Sequence, residues 1–176
     1  MTTYDSFYDQ IPVPPELAEE VARRRAWGAD RHDEVWDGEY FMSPWPSGRH
    51  ALIDAEVAAA IRPYAKRVGL HISTAFNLGS KPGDFRVPDL GVHRTRELGV
   101  WNATAAIVVE VLSPGDRAWE KLGFYAEHHV DEVVMADPEE RTVVWLARRG
   151  DTYVEVTRSE VLDVDVAEVA GQVDWR

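Results

Sequence analysis

Two acidic residues lie where a soluble protein usually places apolar side chains. Glu110 stands inside the apolar stretch AAIVVEVL, residues 105–112, and Asp89 follows Pro88 one predicted strand earlier. A carboxylate in a buried strand is costly unless it is paired or bound to a metal. The two-residue period of a strand places Glu110 on the same face as Val108 and Leu112. We therefore expect Glu110 to have a specific partner.

Asp89 is a candidate partner for Glu110, and the two acids together would indicate a metal site. Because proline has no N–H, Pro88 is favoured at the start or edge of a strand. A strand that begins there and pairs with residues 105–112 brings Asp89 beside Glu110. Two neighbouring carboxylates repel each other, and Mg²⁺ relieves the repulsion by binding their oxygens. The pair therefore predicts a metal site near the end of the buried strand, where open α/β sheets tend to bind ligands.

Both acids also have structural explanations. Asp89 could be a turn residue that follows a proline. Glu110 could form a buried ion pair with Arg86 or Arg94, and such networks are common in folded proteins. These alternatives stay open at the level of the sequence.

Lys121 and Glu39 are further candidates for the same site. Lys121 follows Glu110 by eleven positions in a predicted helix, and its long side chain could reach back to stabilise charge on a phosphate. Glu39 follows the turn signal Asp37-Gly38 and could add a metal ligand or hold a metal-bound water. The alternatives are a solvated surface lysine and an exposed hairpin residue.

Helices and strands must position these residues. Proline, acidic and basic residues predict a helix within 14–28, Asp37-Gly38 predicts a hairpin over 31–44, and the apolar spacing predicts a helix over about 49–68. Strands are predicted within 71–80, 85–94 and 104–112, with three more in 131–158. Ser113 and Asp116, three positions apart as in a capping box, and Pro114 at the first helical position predict the start of a helix over 114–128. The order predicts an α/β or α+β domain with a mixed central sheet flanked by helices.

Length and composition limit the function. The chain of 176 residues fits a single domain, residues 15–176, behind an N-terminal arm, residues 1–14. It contains no cysteine, which excludes disulfides, thiolate catalysis and cysteine-based zinc sites. A net charge of -12 argues against a general nucleic-acid coat protein, so a nuclease of this charge would need a divalent cation. We see no membrane helix or signal peptide and expect a cytoplasmic location.

Other side chains favour structural roles. His50 is expected at the start of a helix, and the aromatic residues, including seven Trp, are expected in the core and interfaces. The sequence contains no metalloprotease, serine-hydrolase or nucleotide-binding P-loop motif. Four arginines could line a groove beside the acids or be scattered on the surface: Arg86, Arg94, Arg96 and Arg117.

Five short motifs, taken in order, resemble one known family. These are DGEYFMSPWPSGRH, RVPDLGV, IVVEVLSPGD, WEKLGFY and VDEVVMADPEERTVVW. They are similar to motifs of the Uma-type restriction endonuclease family, which belongs to the PD-(D/E)XK nuclease superfamily. The resemblance covers roughly residues 30–160. It implies a restriction-endonuclease-like mixed sheet flanked by helices, and it implies a Mg²⁺-dependent endonuclease, with Mn²⁺ as a substitute, that acts on DNA as a homodimer.

The resemblance also implies roles for individual residues. Asp89, Glu110 and the carbonyl group of Val111 would bind one Mg²⁺ that polarises the scissile phosphate. Leu112 stands where the motif usually has lysine, and the resemblance suggests that Lys121 replaces it. The competing hypothesis is a catalytically inactive nuclease-like binding or assembly module, which the net charge and the displaced lysine favour.

Two further roles follow from the resemblance. Glu39 matches the acidic position that precedes the first long helix in this family. The N-terminus of the predicted 114–128 helix would help to bind a phosphate.

Overall fold

The computed structural model describes residues 10–115 and 117–176. These residues contain twelve strands and four helices. The helices are α1 Ala18–Ala26, α2 Gly48–Arg67, α3 Leu122–Glu127 and α4 Val166–Ala170, with 3₁₀ turns at Pro15–Leu17 and Ala118–Lys121. The strands are β1 Glu34–Trp36, β2 Glu39–Phe41, β3 His71–Thr74, β4 Leu78–Lys81, β5 Asp84–Arg86, β6 Leu90–His93, β7 Ile107–Val111, β8 Glu132–Asp137, β9 Thr142–Arg149, β10 Thr152–Glu155, β11 Arg158–Ser159 and β12 Val164–Asp165.

A six-stranded mixed sheet forms the centre of the fold. Its strand order is β10-β9-β8-β7-β6-β3, and β7 pairs with β8 in parallel while the other neighbours are antiparallel. Every residue of β7 is buried, as its continuous apolar run predicts for a strand covered on both faces. The prediction of a mixed sheet flanked by helices is therefore confirmed.

Two apolar cores lie on the two faces of this sheet. On one face, α2 and α4 pack against alternate residues of β7, such as Val109 and Val111. On the other face, α3 packs against Val108, with Tyr125 at its centre. Glu110 shares its face with Val108, as strand alternation predicts, so its carboxylate points toward α3 and away from α2.

The register of β6 and β7 determines where the two acids meet. These strands are antiparallel, with Leu90 opposite Val109. Continued by one residue, this register sets Asp89 opposite Glu110. Pro88 and Asp89 lie just before β6, which begins at Leu90, because proline cannot donate to the ladder. The predicted pairing of this segment with residues 105–112 is therefore confirmed.

A smaller four-stranded sheet, β2-β1-β5-β4, covers one end of the molecule. The predicted hairpin is present, and Asp37 and Gly38 both have positive φ, 49° and 87°, as a tight hairpin turn requires. This sheet and α1 enclose a third core, in which Ile11 is buried. Residues 1–9 of the predicted arm lie outside the described residues, whereas Ile11 packs on the domain.

The long helix α2 follows the prediction for residues 49–68 closely. Ser47 caps it by accepting a hydrogen bond from the amide of His50 at 3.2 Å. Gly69 ends it with φ at +77°, a conformation that favours glycine. Among the helices of the described residues, none is long and apolar enough to cross a membrane.

The start of the predicted helix over 114–128 is wrong. Pro114 and Gly115 form a turn, and helical structure begins only at Ala118. Gly115 has φ at +78°, which a right-handed helix cannot accommodate. Asp116, the expected partner of Ser113 in a capping box, lies outside the described residues. The helical N-terminus that was expected to help bind a phosphate therefore lies at the 3₁₀ turn Ala118–Lys121 and not at Pro114.

Candidate active site

A cleft of about 510 Å³ opens between the β1–β2 hairpin and the ends of β6 and β7. Glu110, Val111 and Asp89 line it from the central sheet, and Lys121 lines it from the 3₁₀ turn before α3. The opposite wall is largely apolar and comes from the hairpin and the loop that follows it: Trp36, Phe41, Met42 and Trp45. Four residues that the sequence assigned to one site therefore line one cleft.

Glu110 lies at the buried end of this cleft, with 4% of its surface exposed. Its Oε1 atom accepts hydrogen bonds from the ammonium of Lys121, at 3.0 Å, and from the hydroxyl of Tyr125. Burial raises the pKa of Glu110 to about 7, opposed by Lys121 and assisted by the charges of Asp89 and Glu34. The side chain therefore titrates near neutral pH.

Lys121 bridges two carboxylates. Its ammonium lies 3.0 Å from Oε1 of Glu110 and 2.9 Å from Oε1 of Glu34. Burial alone would lower the pKa of Lys121, but the two carboxylates outweigh it and the pKa is raised. Lys121 is therefore charged in the folded protein, and the predicted reach back to the sheet is present.

Glu34 belongs to this cluster, although it was not among the residues predicted from the sequence. It is 4% exposed in β1. Its carboxylate accepts hydrogen bonds from the amide of Val87 at 2.7 Å and from the indole N–H of Trp36 at 2.7 Å. Strand alternation in EVW places Glu34 and Trp36 on one face, and that alternation was the signal that could have identified it.

Glu39 takes a different position from the one that the sequence analysis expected. It is exposed at the start of β2, opposite Trp36, and it is absent from the residues that line the cleft. Its pairing with Trp36 puts Glu39 on the same face of the hairpin as Glu34, but at the turn end, two positions along the ladder from Glu34. The geometry therefore groups Glu34, and not Glu39, with Glu110 and Lys121.

Asp89 is held by two groups. Its Oδ2 atom accepts a hydrogen bond from the amide of Val111 at 2.7 Å, which ties it to the end of β7. Its Oδ1 atom lies 3.0 Å from Nε2 of His50, whose Nδ1 atom lies 3.1 Å from Oγ of Ser113. The hydrogen bond to Asp89 raises the pKa of His50, although burial opposes it. His50 thus starts α2, as expected, and also belongs to the site.

Of the two alternatives for the four arginines, the structure does not support a groove, because Arg117 alone among these four lines the cleft. Its guanidinium lies 4.4 Å from the ring centre of Trp36 and pairs with Glu120 at 2.6 Å. The other three have partners elsewhere: Arg86 stacks between Trp36 and Phe124, Arg94 pairs with Asp131 and Arg96 bonds His71. Lys121 therefore takes the place that the ion-pair alternative gave to Arg86 or Arg94 beside Glu110.

The donors in the cleft are compatible with a magnesium ion. Among residues 10–115 and 117–176, no group of three or more His, Cys, Asp or Glu side chains is arranged to hold a metal. Mg²⁺ needs fewer protein ligands, since it keeps several waters and is often held by one or two carboxylates. Asp89 and Glu110 supply two carboxylates on neighbouring strands, and the ammonium of Lys121 beside Glu110 is already shared with Glu34. A divalent cation would offset the remaining negative charge.

Comparisons with known proteins agree with this fold. The model of the Uma2 family, described as "Putative restriction endonuclease", matches residues 18–172. Among solved structures, a protein from Anabaena variabilis titled "putative nuclease belonging to DUF820" matches with a TM-score of 0.61 and 18% identity, over 80% of this chain and 90% of that one. Among curated proteins, no sequence matches this chain.

Proposed function

Because the chain belongs to the Uma2 family, described as "Putative restriction endonuclease", we propose that it is a Mg²⁺-dependent endonuclease that hydrolyses phosphodiester bonds of DNA. The observation that supports this proposal most is the Lys121 ammonium, which lies within 3.0 Å of both Glu110 and Glu34 in the cleft that Asp89 also lines. Acidic residues beside a buried lysine suit phosphoryl-transfer chemistry, which consists mainly of positioning and charge stabilisation.

Asp89, Glu110 and the carbonyl group of Val111 would hold the ion, with Mn²⁺ as a substitute. When bound, the ion would polarise the scissile phosphate and lower the pKa of the attacking water. Glu110 must be ionised to act as a ligand. Since its pKa is about 7, we expect metal affinity and cleavage to increase as the pH rises through neutrality.

Lys121 would stabilise the charge that develops on the phosphate. Its ammonium is held between Glu34 and Glu110, so little reorganisation is needed during the reaction. Glu34 is a positioning residue in this scheme, since its contacts to Lys121 and to the amide of Val87 fix the lysine against the sheet. His50 likewise positions Asp89 through Oδ1.

Cleavage of supercoiled plasmid DNA and of single-stranded circular DNA in Mg²⁺, together with calorimetry of Mg²⁺ binding, tests the proposal. We expect Asp89→Asn and Glu110→Gln to lose both metal binding and cleavage, and Lys121→Met to lose cleavage. Lys66→Met, at an exposed position of α2, is the matched control. Metal binding without cleavage by the wild-type protein would favour an inactive nuclease-like module, and absence of metal binding would overturn the metal site.

We also propose a homodimer and a cytoplasmic location. The outer strands of the six-stranded sheet, β3 and β10, each have one free edge in the described sheet, and natural proteins usually cover such edges. Sedimentation velocity at several protein concentrations would give the mass in solution. A species of 19.9 kDa at every concentration would overturn the dimer.

A further inference from the structure

Trp45 is an exposed aromatic residue at the mouth of the cleft. Its surface is 65% exposed, although most large aromatic side chains in folded proteins are largely buried. It lies in the loop between β2 and α2, two residues before the helix cap Ser47. Tryptophans were expected in the core and interfaces, and Trp45 does not fit the core.

A second cavity, of about 670 Å³, adjoins the cleft at Asp89. Trp45, His50 and Asp89 line both spaces, so the groove runs along both sides of Asp89. The second cavity also contains side chains that could bond a base or sugar, such as Thr74 and Asn77. A strand that occupies both spaces at Asp89 would therefore lie beside the indole of Trp45.

The loop that carries Trp45 is held at both ends. Ser43 donates its amide to Oδ1 of Asp33 at 2.9 Å, and its carbonyl accepts a hydrogen bond from Arg24 at 2.6 Å. Ser47 caps α2 at the other end. The flanking prolines, Pro44 and Pro46, restrict the backbone further. The indole is therefore presented on a stiff segment, which reduces the entropy lost when a ligand stacks on it.

The imidazole ring of His32 packs against the indole of Trp45. The two rings meet edge to face, with centroids 6.0 Å apart and planes at 86°. Burial lowers the pKa of His32, so the contact is between two neutral rings at neutral pH. Trp45 keeps most of its surface open despite this contact.

Charge in the cleft favours stacking over phosphate pairing as the source of affinity. Lys121 is shared by two carboxylates, and Arg117 is paired with Glu120. Arg31, which lines the second cavity, is therefore the cation of the groove with most freedom to meet a phosphate. The whole chain carries a net charge of -12. Proteins that bind single strands combine a basic groove with aromatic platforms, and here the aromatic part is the better developed.

We propose that Trp45 is a stacking platform for an unpaired base next to the scissile phosphate, and that the preferred substrate is single-stranded DNA. A base inside a duplex is already stacked and paired, so it cannot reach the indole without being flipped out. This inference rests on the proposed nuclease function only for the identity of the scissile bond, since the stacking contact itself is a binding event.

The test measures binding of a fluorescent single-stranded oligonucleotide by anisotropy, in EDTA, so that no cleavage occurs. We expect Trp45→Ala to weaken binding roughly 5- to 150-fold, because one base–aromatic stack is lost. Trp45→Phe should keep most of the affinity. Trp27→Ala is the matched control, since Trp27 is 84% exposed and lies outside both cavities.

Three results would overturn the stacking platform. These are unchanged binding by Trp45→Ala, an equal loss in Trp27→Ala, and tighter binding of the same sequence as a duplex. The salt dependence gives an independent check, since each phosphate contact contributes about -0.7 to the slope of log K against log salt for a single strand. We expect a shallow slope, of about -1.4 or less in magnitude, and a slope that indicates six or more contacts would also contradict the proposal.

The two proposals can fail separately. If wild-type protein binds the oligonucleotide through Trp45 but never cleaves it in Mg²⁺, the nuclease function fails and the stacking platform stands. If wild-type protein cleaves and Trp45→Ala cleaves and binds single strands equally well, the platform fails and the nuclease stands. A wild-type protein that binds no single-stranded DNA would overturn the platform directly.

Discussion

The ammonium of Lys121 lies 3.0 Å from Oε1 of Glu110, although the two residues are eleven positions apart in the chain. In the motif that the sequence resembles, lysine stands two positions after the acid, where this chain has Leu112. Leu112 packs against the apolar core beside α3. The 3₁₀ turn that begins at Ala118 brings Lys121 back over the end of β7. The charge is thus supplied from a different element while the strand end stays apolar.

Replacing this lysine should cost both stability and activity, in a way that depends on pH. In Lys121→Met, Glu34 and Glu110 lose their shared cation, and breaking a buried ion pair typically costs about 3–5 kcal/mol. The loss should be larger at pH 8 than at pH 5, because Glu110 can take up a proton at the lower pH. Cleavage should fall roughly 100-fold or more. Urea unfolding at both pH values and a plasmid assay measure these effects.

Lys66→Met is the control for this experiment, since Lys66 is exposed on α2. It should leave both the unfolding free energy and the cleavage rate close to wild type. An equal loss of stability at pH 5 and pH 8 in Lys121→Met would contradict the assigned coupling between Lys121 and Glu110.

The titration of Glu110 should be visible in the stability of the folded protein. Its pKa is raised from 4.5 to about 7, so the folded state binds a proton that the unfolded state has released between these values. Its contribution to stability is complete below about pH 4.5 and is lost as the pH rises through 7, a total of about 3 kcal/mol. Glu110→Gln cannot titrate and should lack this dependence in a comparison of unfolding curves from pH 4.5 to 8.

Magnesium should change that pH dependence if Glu110 binds the ion. A metal ligand is ionised, so Mg²⁺ favours the charged form and lowers the pKa of the carboxyl group. Saturating Mg²⁺ should therefore flatten the pH dependence of wild-type unfolding and leave Glu110→Gln unchanged. An identical wild-type profile with and without Mg²⁺ would argue against Glu110 as a ligand.

The sequence predicted the central part of the fold because its signals are local. The apolar run of β7, the spacing in α2 and the turn at Asp37-Gly38 each act within one element, and all three are present. Proline chemistry also predicted the pairing that sets Asp89 opposite Glu110. These features depend on backbone rules that any chain must obey.

The features that the sequence did not predict depend on contacts between distant segments. Glu34 is buried because Val87 and Lys121, 53 and 87 positions away, complete its hydrogen bonds, and the alternation in EVW indicates only the face on which Glu34 lies. Gly115 likewise displaced the start of the helix, because its positive φ is compatible with a turn and incompatible with the predicted helical N-terminus. Arg86 was a candidate for the groove and for an ion pair with Glu110 because of its charge. Its guanidinium instead stacks on the rings of Trp36 and Phe124.

Tyr125 should set the pH at which Glu110 ionises. Its hydroxyl donates a hydrogen bond to Oε1 of Glu110, and this bond lowers the pKa of the carboxyl group. Tyr125→Phe should therefore raise that pKa and move the midpoint of the pH–cleavage profile upward, at a stability cost of about 1.5–3 kcal/mol for a hydrogen bond to a charged group. Initial cleavage rates between pH 6 and 9 measure the shift.

Tyr153→Phe is a matched control for Tyr125→Phe. The hydroxyl of Tyr153 donates to the carbonyl of Val130 at 2.7 Å, at the same core but away from the cleft. Its loss should reduce stability by about 1 kcal/mol and leave the pH midpoint unchanged. Equal midpoints in both variants would mean that Tyr125 does not tune Glu110.

A comparison of Glu34 and Glu39 decides which acid of the hairpin belongs to the site. Glu34→Gln keeps the side-chain volume but removes the charge that holds Lys121 at 2.9 Å, and loss of such a positioning contact typically costs roughly 10- to 100-fold in activity. Since Glu34 raises the pKa of Glu110, its removal should also move the pH midpoint downward, opposite to Tyr125→Phe. Glu39→Gln, at an exposed position, should keep wild-type cleavage within about twofold. If Glu39→Gln loses cleavage and Glu34→Gln keeps it, the role that the motif resemblance gave to Glu39 is correct and the geometric assignment is wrong.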